Sequence, residues 1–133
     1  MDVMAIIPAY NEERTIGEVL SVLKEVPLVK KVIVVSDGST DNTVQVARSY
    51  DVEVVELHEN RGKGGAIKAG IDNVKADVVL FLDADLLGLT PVHVYNLLRP
   101  VLDGEADMTI GIFEKGRIAT DLAQKMAPYL SGQ

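Results

Sequence analysis

The stretch Val78-Val79-Leu80-Phe81-Leu82 runs straight into Asp83-Ala84-Asp85-Leu86, and this junction limits the fold more than any other segment of the chain. An apolar run of that length, with β-branched and aromatic members, suits an interior strand of a parallel sheet covered on both faces. Alternate side chains of an extended chain point the same way, so Asp83 and Asp85 can converge on one ligand while Ala84 turns elsewhere. Open α/β sheets bind ligands in the crevice beyond the carboxyl ends of their strands. Two acids placed there are candidates for a metal site, although an isolated Asp-x-Asp is more often a strand end that solvates a loop.

The remaining segments alternate in the same way. A strand is expected over Val3 to Ile7, halted by Pro8-Ala9-Tyr10-Asn11. A helix follows from about Glu12, because Ile16, Val19, Leu20 and Leu23 have the spacing of one buried helical face, and Pro27 stops it. Lys31 to Val35 predicts a second strand. Ser36 to Asp41 is a turn into a helix reaching about Tyr50, with Thr40 or Asp41 as N-cap. Val52 to Leu57 predicts a third strand. The glycine-rich loop Glu59-Asn60-Arg61-Gly62-Lys63-Gly64-Gly65 then leads to a helix expected to bury Ile67, Gly70, Ile71 and Val74. After the strand at Asp77 to Leu82, Thr90-Pro91 supplies an N-cap with proline at the first helical position, and Val94, Leu97 and Leu98 form the buried face until about Pro100. A fifth strand is expected at Asp107 to Ile112, and a last helix with Ile118, Leu122 and Met126 on one face. Strict alternation of strand and helix predicts a mostly parallel sheet with helices on both faces, a three-layer α/β/α domain.

Composition narrows the function classes. At 133 residues the chain is expected to form a single domain over 1–133. No apolar stretch is long enough for a transmembrane segment, and Met1-Asp2-Val3-Met4 lacks the basic flank of a signal peptide, so a cytoplasmic location is expected. There is no cysteine, which excludes disulfides and thiolate chemistry, and His58 and His93 are too few for a histidine-rich zinc centre. A net charge of −7 without a basic stripe excludes nucleic acid as the expected partner. A small phosphorylated ligand is a different case, because one cation and a few local donors suffice to hold it.

Four polar clusters fall just after predicted strands: residues 8–12, 36–41, 60–65 and 83–85. Each alone can shape a turn or cap a helix. Together on one rim they outline a cleft. The glycine-rich loop lacks the residue order of a P-loop, and no dinucleotide fingerprint follows the first strand. It does place Lys63 and Arg61 beside backbone N–H groups at a helix start, which favours a diphosphate. Hard divalent cations prefer oxygen ligands and share phosphate oxygens with one or two carboxylates, so Mg²⁺ or Mn²⁺ held by Asp85, with Asp83 close by, would complete such a site.

The ordered set Ile6-Ile7-Pro8-Ala9-Tyr10-Asn11-Glu12-Glu13, Val34-Val35-Ser36-Asp37-Gly38-Ser39-Thr40-Asp41-Asn42-Thr43, Arg61-Gly62-Lys63-Gly64 and Asp83-Ala84-Asp85-Leu86 resembles the nucleotide-sugar half of the family 2 glycosyltransferases. It is most similar to their dolichol-phosphate mannose synthase and glucosyl-phosphoglycerate synthase branches. The resemblance implies the GT-A fold, the Rossmann-like fold of nucleotide-diphospho-sugar transferases. It also implies inverting transfer of a sugar from a UDP- or GDP-linked donor to a phosphate or hydroxyl acceptor, such as a polyprenyl phosphate, a small phosphorylated compound or a sugar. On this basis Pro8, Tyr10 and Glu12 would line the nucleotide pocket, and Val35 and Asp37 would contact the base. Lys63 would approach the diphosphate. Asp83, Ala84 and Asp85 would line the donor site, with Asp83 facing the ribose or the metal shell and Asp85 binding Mg²⁺ or Mn²⁺.

Two departures stand out. The arginine that dolichol-phosphate mannose synthases carry after the fifth strand has no counterpart unless Lys115 or Arg117 takes its role. The acceptor-binding half, which often carries the catalytic base, is expected to be absent from these residues, so no base can be named. That leaves a second reading, a nucleotide-sugar-binding module inactive by itself. A nucleotidyltransferase is disfavoured because residues 8–12 are not its glycine- and arginine-rich loop. A homodimer would cover apolar surface left open, and a lipid acceptor would leave room for peripheral membrane contact.

Overall fold

The computed structural model describes residues 2–72, 75–114 and 117–125. Its elements run β1 (Val3–Ala9), α1 (Ile16–Lys24), β2 (Val29–Asp37), α2 (Thr43–Arg48), β3 (Glu53–Leu57), α3 (Gly62–Ile71), β4 (Val78–Phe81), α4 (Pro91–Leu102), β5 (Thr109–Glu114) and β6 (Arg117–Lys125). The first four strands form a parallel sheet in the order β3-β2-β1-β4.

The two faces of β1 divide the core. Val3, Ala5, Ile7 and Ala9 point into a large cluster closed by Ile16, Val19, Leu20 and Leu23 of α1, Ala47 of α2, and Val94, Leu97 and Leu98 of α4. Met4 and Ile6 point the other way, into a smaller cluster with Ile33, Val35 and Ala66 beneath α3. The period-two alternation of β1 thus builds the three layers, with α3 the helix on its side among the described residues. Strands and helices through α4 fall where the apolar periodicity places them. Thr90 caps α4 as expected: its side chain accepts from His93 N–H, and the Thr90 N–H donates in turn to His93 Nδ1. The helix continues past Pro100 to Leu102.

Helix α3 departs from expectation in the face it buries. Ala66 and Gly70 face the sheet, Ile67 is half-buried and Ile71 is 43% exposed; Val74 lies outside the described residues. Close approach is the cause. A Cβ at Gly70 would stand 2.8 Å from Ile6 Cγ2 and 3.2 Å from Val35 Cγ2, so small residues, not the isoleucines, occupy the contact.

Two further expectations are corrected. The fifth strand does not join the parallel sheet; it pairs antiparallel with β6, Thr109 opposite Lys125 and Glu114 opposite Arg117. The last helix expected over Ile118 and Leu122 is therefore strand β6, and Met126 lies outside the described residues. A spacing of four residues is a multiple of the strand period as well as close to a helical turn, so Ile118 and Leu122 cannot tell one from the other. Among the described residues β4 is the edge of its sheet, and Phe81 is 45% exposed.

Candidate functional site

Because β1, β2, β3 and β4 are parallel, their carboxyl ends share one rim, and the loops that leave it meet over the sheet. A cleft of about 300 Å³ opens there. Its walls are Pro8 and Ala9 at the end of β1, Tyr10 and Glu12 just after it, Asp37 at the end of β2, Asn60, Gly62, Lys63 and Ala66 around the start of α3, and Asp83, Ala84 and Asp85 after β4. The structure therefore gathers eight of the nine residues singled out in the sequence. Val35 is the exception: it is fully buried in the core beneath α3 and is not part of the cleft wall.

The loops after β1 and β2 are tied to each other by their own polar groups. Asn11, held at φ 51°, accepts at Oδ1 from the N–H of Thr40 at 2.8 Å and of Asp41 at 3.3 Å, while its own N–H donates to Ser39 Oγ. Asparagine is among the few non-glycine residues that adopt this left-handed conformation readily. Glu12 N–H donates to Thr43 Oγ1, and Glu13 N–H to Asp41 Oδ2. This lacing holds residues 12–15 in a turn, so α1 begins at Ile16 rather than at Glu12. The N-cap of α2 is Asn42; Asp41, one residue earlier, accepts the Thr43 N–H at 2.9 Å. Sequence reading marked these residues as a polar turn but not as a clasp between two loops.

Asp41 makes this clasp sensitive to acid. Burial raises its carboxyl, but hydrogen bonds from the Thr43 hydroxyl and N–H, the Glu13 N–H and its own N–H together hold it below the ordinary aspartate value. A depressed folded pKa contributes stability that is present above the unfolded pKa and is lost as pH falls through the folded one. Urea unfolding of the wild type should therefore show stability falling away below about pH 4, and Asp41→Asn should flatten that limb. An unchanged acid limb in Asp41→Asn would exclude this role.

Asp37 is only 4% exposed, and its Oδ1 accepts the Arg61 N–H at 2.6 Å. It thereby fastens the glycine-rich loop to the end of β2 while remaining on the cleft wall. Gly38 makes the approach feasible. It has φ 76°, and a Cβ there would stand 2.9 Å from the Asn60 backbone nitrogen. Gly38→Ala should cost about 2–4 kcal/mol, from left-handed backbone strain together with a backbone clash, measured by urea denaturation. A loss under about 1 kcal/mol would show that the loop yields freely.

Past the end of β4, alternation persists without strand pairing. Leu82, Ala84 and Leu86 are buried, whereas Asp83 and Asp85 face the cleft. Lys63 Nζ forms an ion pair with Asp83 Oδ1. Asp85 is exposed and makes no hydrogen bond or ion pair among the described residues. Burial, then the charge of Asp85, with smaller contributions from Asp41 and Asp83, pushes the Glu12 carboxyl above its ordinary value against the hydrogen bond from Thr15. The cleft is therefore rich in negative charge that a cation would relieve. Among the described residues no three His, Cys, Asp or Glu side chains converge as a protein-only metal cage. This donor set fits a hard cation that keeps water or phosphate oxygens in its shell, and not a structural zinc.

A parallel α/β sheet with acids and a lysine gathered at its carboxyl rim defines a Rossmann-like ligand-binding class of protein, and its solved neighbours share the GT-A form of that fold. Residues 4–130 match the profile of glycosyl transferase family 2, and the chain belongs to that family. It is 40% identical over 118 residues to the dolichyl-phosphate beta-glucosyltransferase of Drosophila melanogaster, covering 77% of this chain and 36% of that protein. It is 38% identical over 106 residues to the 4,4'-diaponeurosporenoate glycosyltransferase of Staphylococcus aureus, covering 75% of this chain and 28% of that one. Among solved structures, glucosyl-3-phosphoglycerate synthase from Mycobacterium tuberculosis, in complex with Mn²⁺, uridine-diphosphate-glucose and phosphoglyceric acid, superposes with a TM-score of 0.70 at 34% identity, over 78% of this chain and 40% of that one. The same synthase has also been solved with Mg²⁺ and uridine-diphosphate. The chain spans less than half the length of each of these relatives. No helix among the described residues is long and apolar enough to cross a membrane.

Proposed function

We propose that residues 1–133 form a donor-binding unit that holds a nucleoside-diphosphate sugar, UDP-linked by preference over GDP-linked, for inverting transfer to an acceptor oxygen. The observation that carries this reading is the single cleft in which Tyr10, Glu12, Asp37, Lys63, Asp83 and Asp85 meet. The preference for UDP rests on the solved relative that binds it. Tyr10, 48% exposed at the mouth, offers a flat face to the base. Asp37 offers a carboxylate oxygen fixed by the Arg61 N–H bond. Lys63, once turned from Asp83, and the start of α3 would hold the diphosphate.

In the transfer, the acceptor oxygen bonds to the anomeric carbon as the bond from that carbon to the diphosphate breaks, and the electron pair leaves with the diphosphate. A Mg²⁺ or Mn²⁺ ion held by Asp85, with Asp83 beside it, would supply charge neutralisation on the leaving diphosphate. Lys63 adds a cation to the same oxygens, where charge grows in the transition state. A phosphate acceptor is anionic already and needs no base, whereas a hydroxyl acceptor must lose a proton to one. The name of one relative, a dolichyl-phosphate beta-glucosyltransferase, favours the first case, whereas the phosphoglyceric acid bound by the solved synthase carries a hydroxyl beside its phosphate and fits the second; polyprenyl phosphate and small phosphorylated acceptors are both to be tried, and the first would bring the protein to a membrane surface. Calorimetry with UDP, GDP and their sugars, with and without Mn²⁺, tests the reading: metal-dependent binding of one nucleotide is expected, and no binding to any would refute it. A second reading, donor binding without transfer, draws on the chain's share of its relatives' length. Tight donor binding with neither hydrolysis nor transfer would select it.

A further inference from the structure

Thr15 stands at the N-cap position of α1, where a threonine hydroxyl ordinarily accepts an N–H of the first helical turn. Its side chain makes no such bond. Instead its Oγ1 donates to the backbone carbonyl of Ala84, 69 residues further on, at 2.8 Å. The same oxygen lies 3.4 Å from Glu12 Oε2. A hydroxyl has one proton, and the shorter contact is the stronger claim on it.

Ala84 is the residue between the two acids of the cleft. Its methyl is 2% exposed, in the same core cluster as Leu82 and Leu86. It is thus held on one side by packing and on the other by the Thr15 hydroxyl. The peptide that joins Ala84 to Asp85 carries the bonded carbonyl, so its plane fixes the Asp85 Cα and the axis of its N–Cα bond, from which the Asp85 side chain departs. Asp85 has no hydrogen-bond partner of its own among the described residues. Nothing but its backbone therefore orients it. A helix cap would have been served by a hydroxyl bonded within α1; the bond observed reaches the one peptide whose rotation would swing the acid.

We propose that Thr15 is a positioning residue: its hydroxyl locks the Ala84 carbonyl and so presents the Asp85 carboxylate to the divalent cation. This rests on reading Asp85 as the metal ligand. Partners one step removed from a metal commonly change its affinity by about 10–100-fold when lost, and here the partner fixes a backbone rather than the ligating side chain.

The test is Mn²⁺ affinity in the presence of UDP, read by the electron paramagnetic signal of free Mn²⁺, together with thermal unfolding. The variants are Thr15→Val, Thr15→Ala, Thr15→Ser, Asp85→Asn and Thr109→Val. Thr109 is the matched control, since its hydroxyl also donates to a backbone carbonyl, that of Leu97, at 2.6 Å. Thr15→Val should weaken Mn²⁺ about tenfold and Thr15→Ser should restore it to within about twofold. Thr109→Val should lower the melting temperature and leave Mn²⁺ affinity alone. If Thr15→Val fails to fold, Thr15→Ala makes the same deletion without a branched apolar group. Loss of melting temperature at unchanged Mn²⁺ affinity in either Thr15 variant, while Asp85→Asn loses the metal, overturns the proposal. Undiminished Mn²⁺ binding by Asp85→Asn would instead overturn the assignment of the ligand.

Discussion

Asp85→Asn is expected to abolish the metal dependence of nucleotide binding while leaving the fold intact. The carboxylate is exposed and makes no hydrogen bond or ion pair among the described residues, so its removal breaks no structural contact. Nearby acids even gain, because one of the charges that raises the Glu12 carboxyl is lost. The sign follows from linkage: a carboxyl raised in the folded state favours folding when protonated, and that contribution is lost as pH rises through its folded pKa. Removing the Asp85 charge lessens this cost at neutral pH. Thermal unfolding without ligand should therefore be unchanged or slightly higher. Metal-supported charge stabilisation is typically worth several kcal/mol, so transfer by any active form should fall about 10³-fold or more. Retention of Mn²⁺-dependent UDP binding in the variant would remove the central support of the functional reading.

Lys63→Ala is expected to separate two affinities that a single binding measurement would merge. In the free protein the Lys63 ammonium is paired with Asp83. Holding a diphosphate requires that ammonium to turn from the carboxylate to phosphate oxygens. Loss of one charge-assisted contact costs about 1.5–3 kcal/mol, so the nucleotide should bind about 10–100-fold more weakly. Mn²⁺ alone should bind as well as before or better, since the cation that competes for Asp83 is gone. Stability should barely move, because both side chains are substantially exposed, at 61% and 40%, and exposed pairs contribute at most about 1 kcal/mol. Equal losses of nucleotide and metal affinity would contradict this division of labour, which calorimetry measures directly.

Much of the fold could be read from local pattern. Ile16, Val19, Leu20 and Leu23 announce the buried face of α1, and Thr90-Pro91 announces the start of α4, because helix periodicity and capping are properties of neighbouring residues. Local pattern is silent where it is degenerate or where a partner element decides. Ile118 and Leu122 fit a helix and a strand equally, and it is the antiparallel pairing with β5 that selects the strand. On α3 Gly70 is buried as its place in the pattern predicts, but hydrophobic size points to Ile67 and Ile71, whereas close packing on Ile6 and Val35 admits Ala66 beside Gly70 instead. Val35 was placed at the base by resemblance. Val35 and Asp37 share one face of β2, but Val35 lies beneath α3, against Gly70, whereas Asp37 stands at the end of the strand where the cleft opens.

By itself, then, the sequence determined the alternation of strand and helix and the chemistry of each strand end, since both are written in residues close along the chain. The tertiary structure decided which of those ends meet. Strand order placed the loops after β1, β2 and β4 around one cleft, and register turned single polar residues into the bonds between them: Asn11 to Thr40, Asp37 to Arg61, Lys63 to Asp83 and Thr15 to Ala84. These bonds cross 20 to 69 residues of chain. No periodicity extends that far, because what sets such a contact is the packing of whole elements and not the preference of any residue for its neighbours.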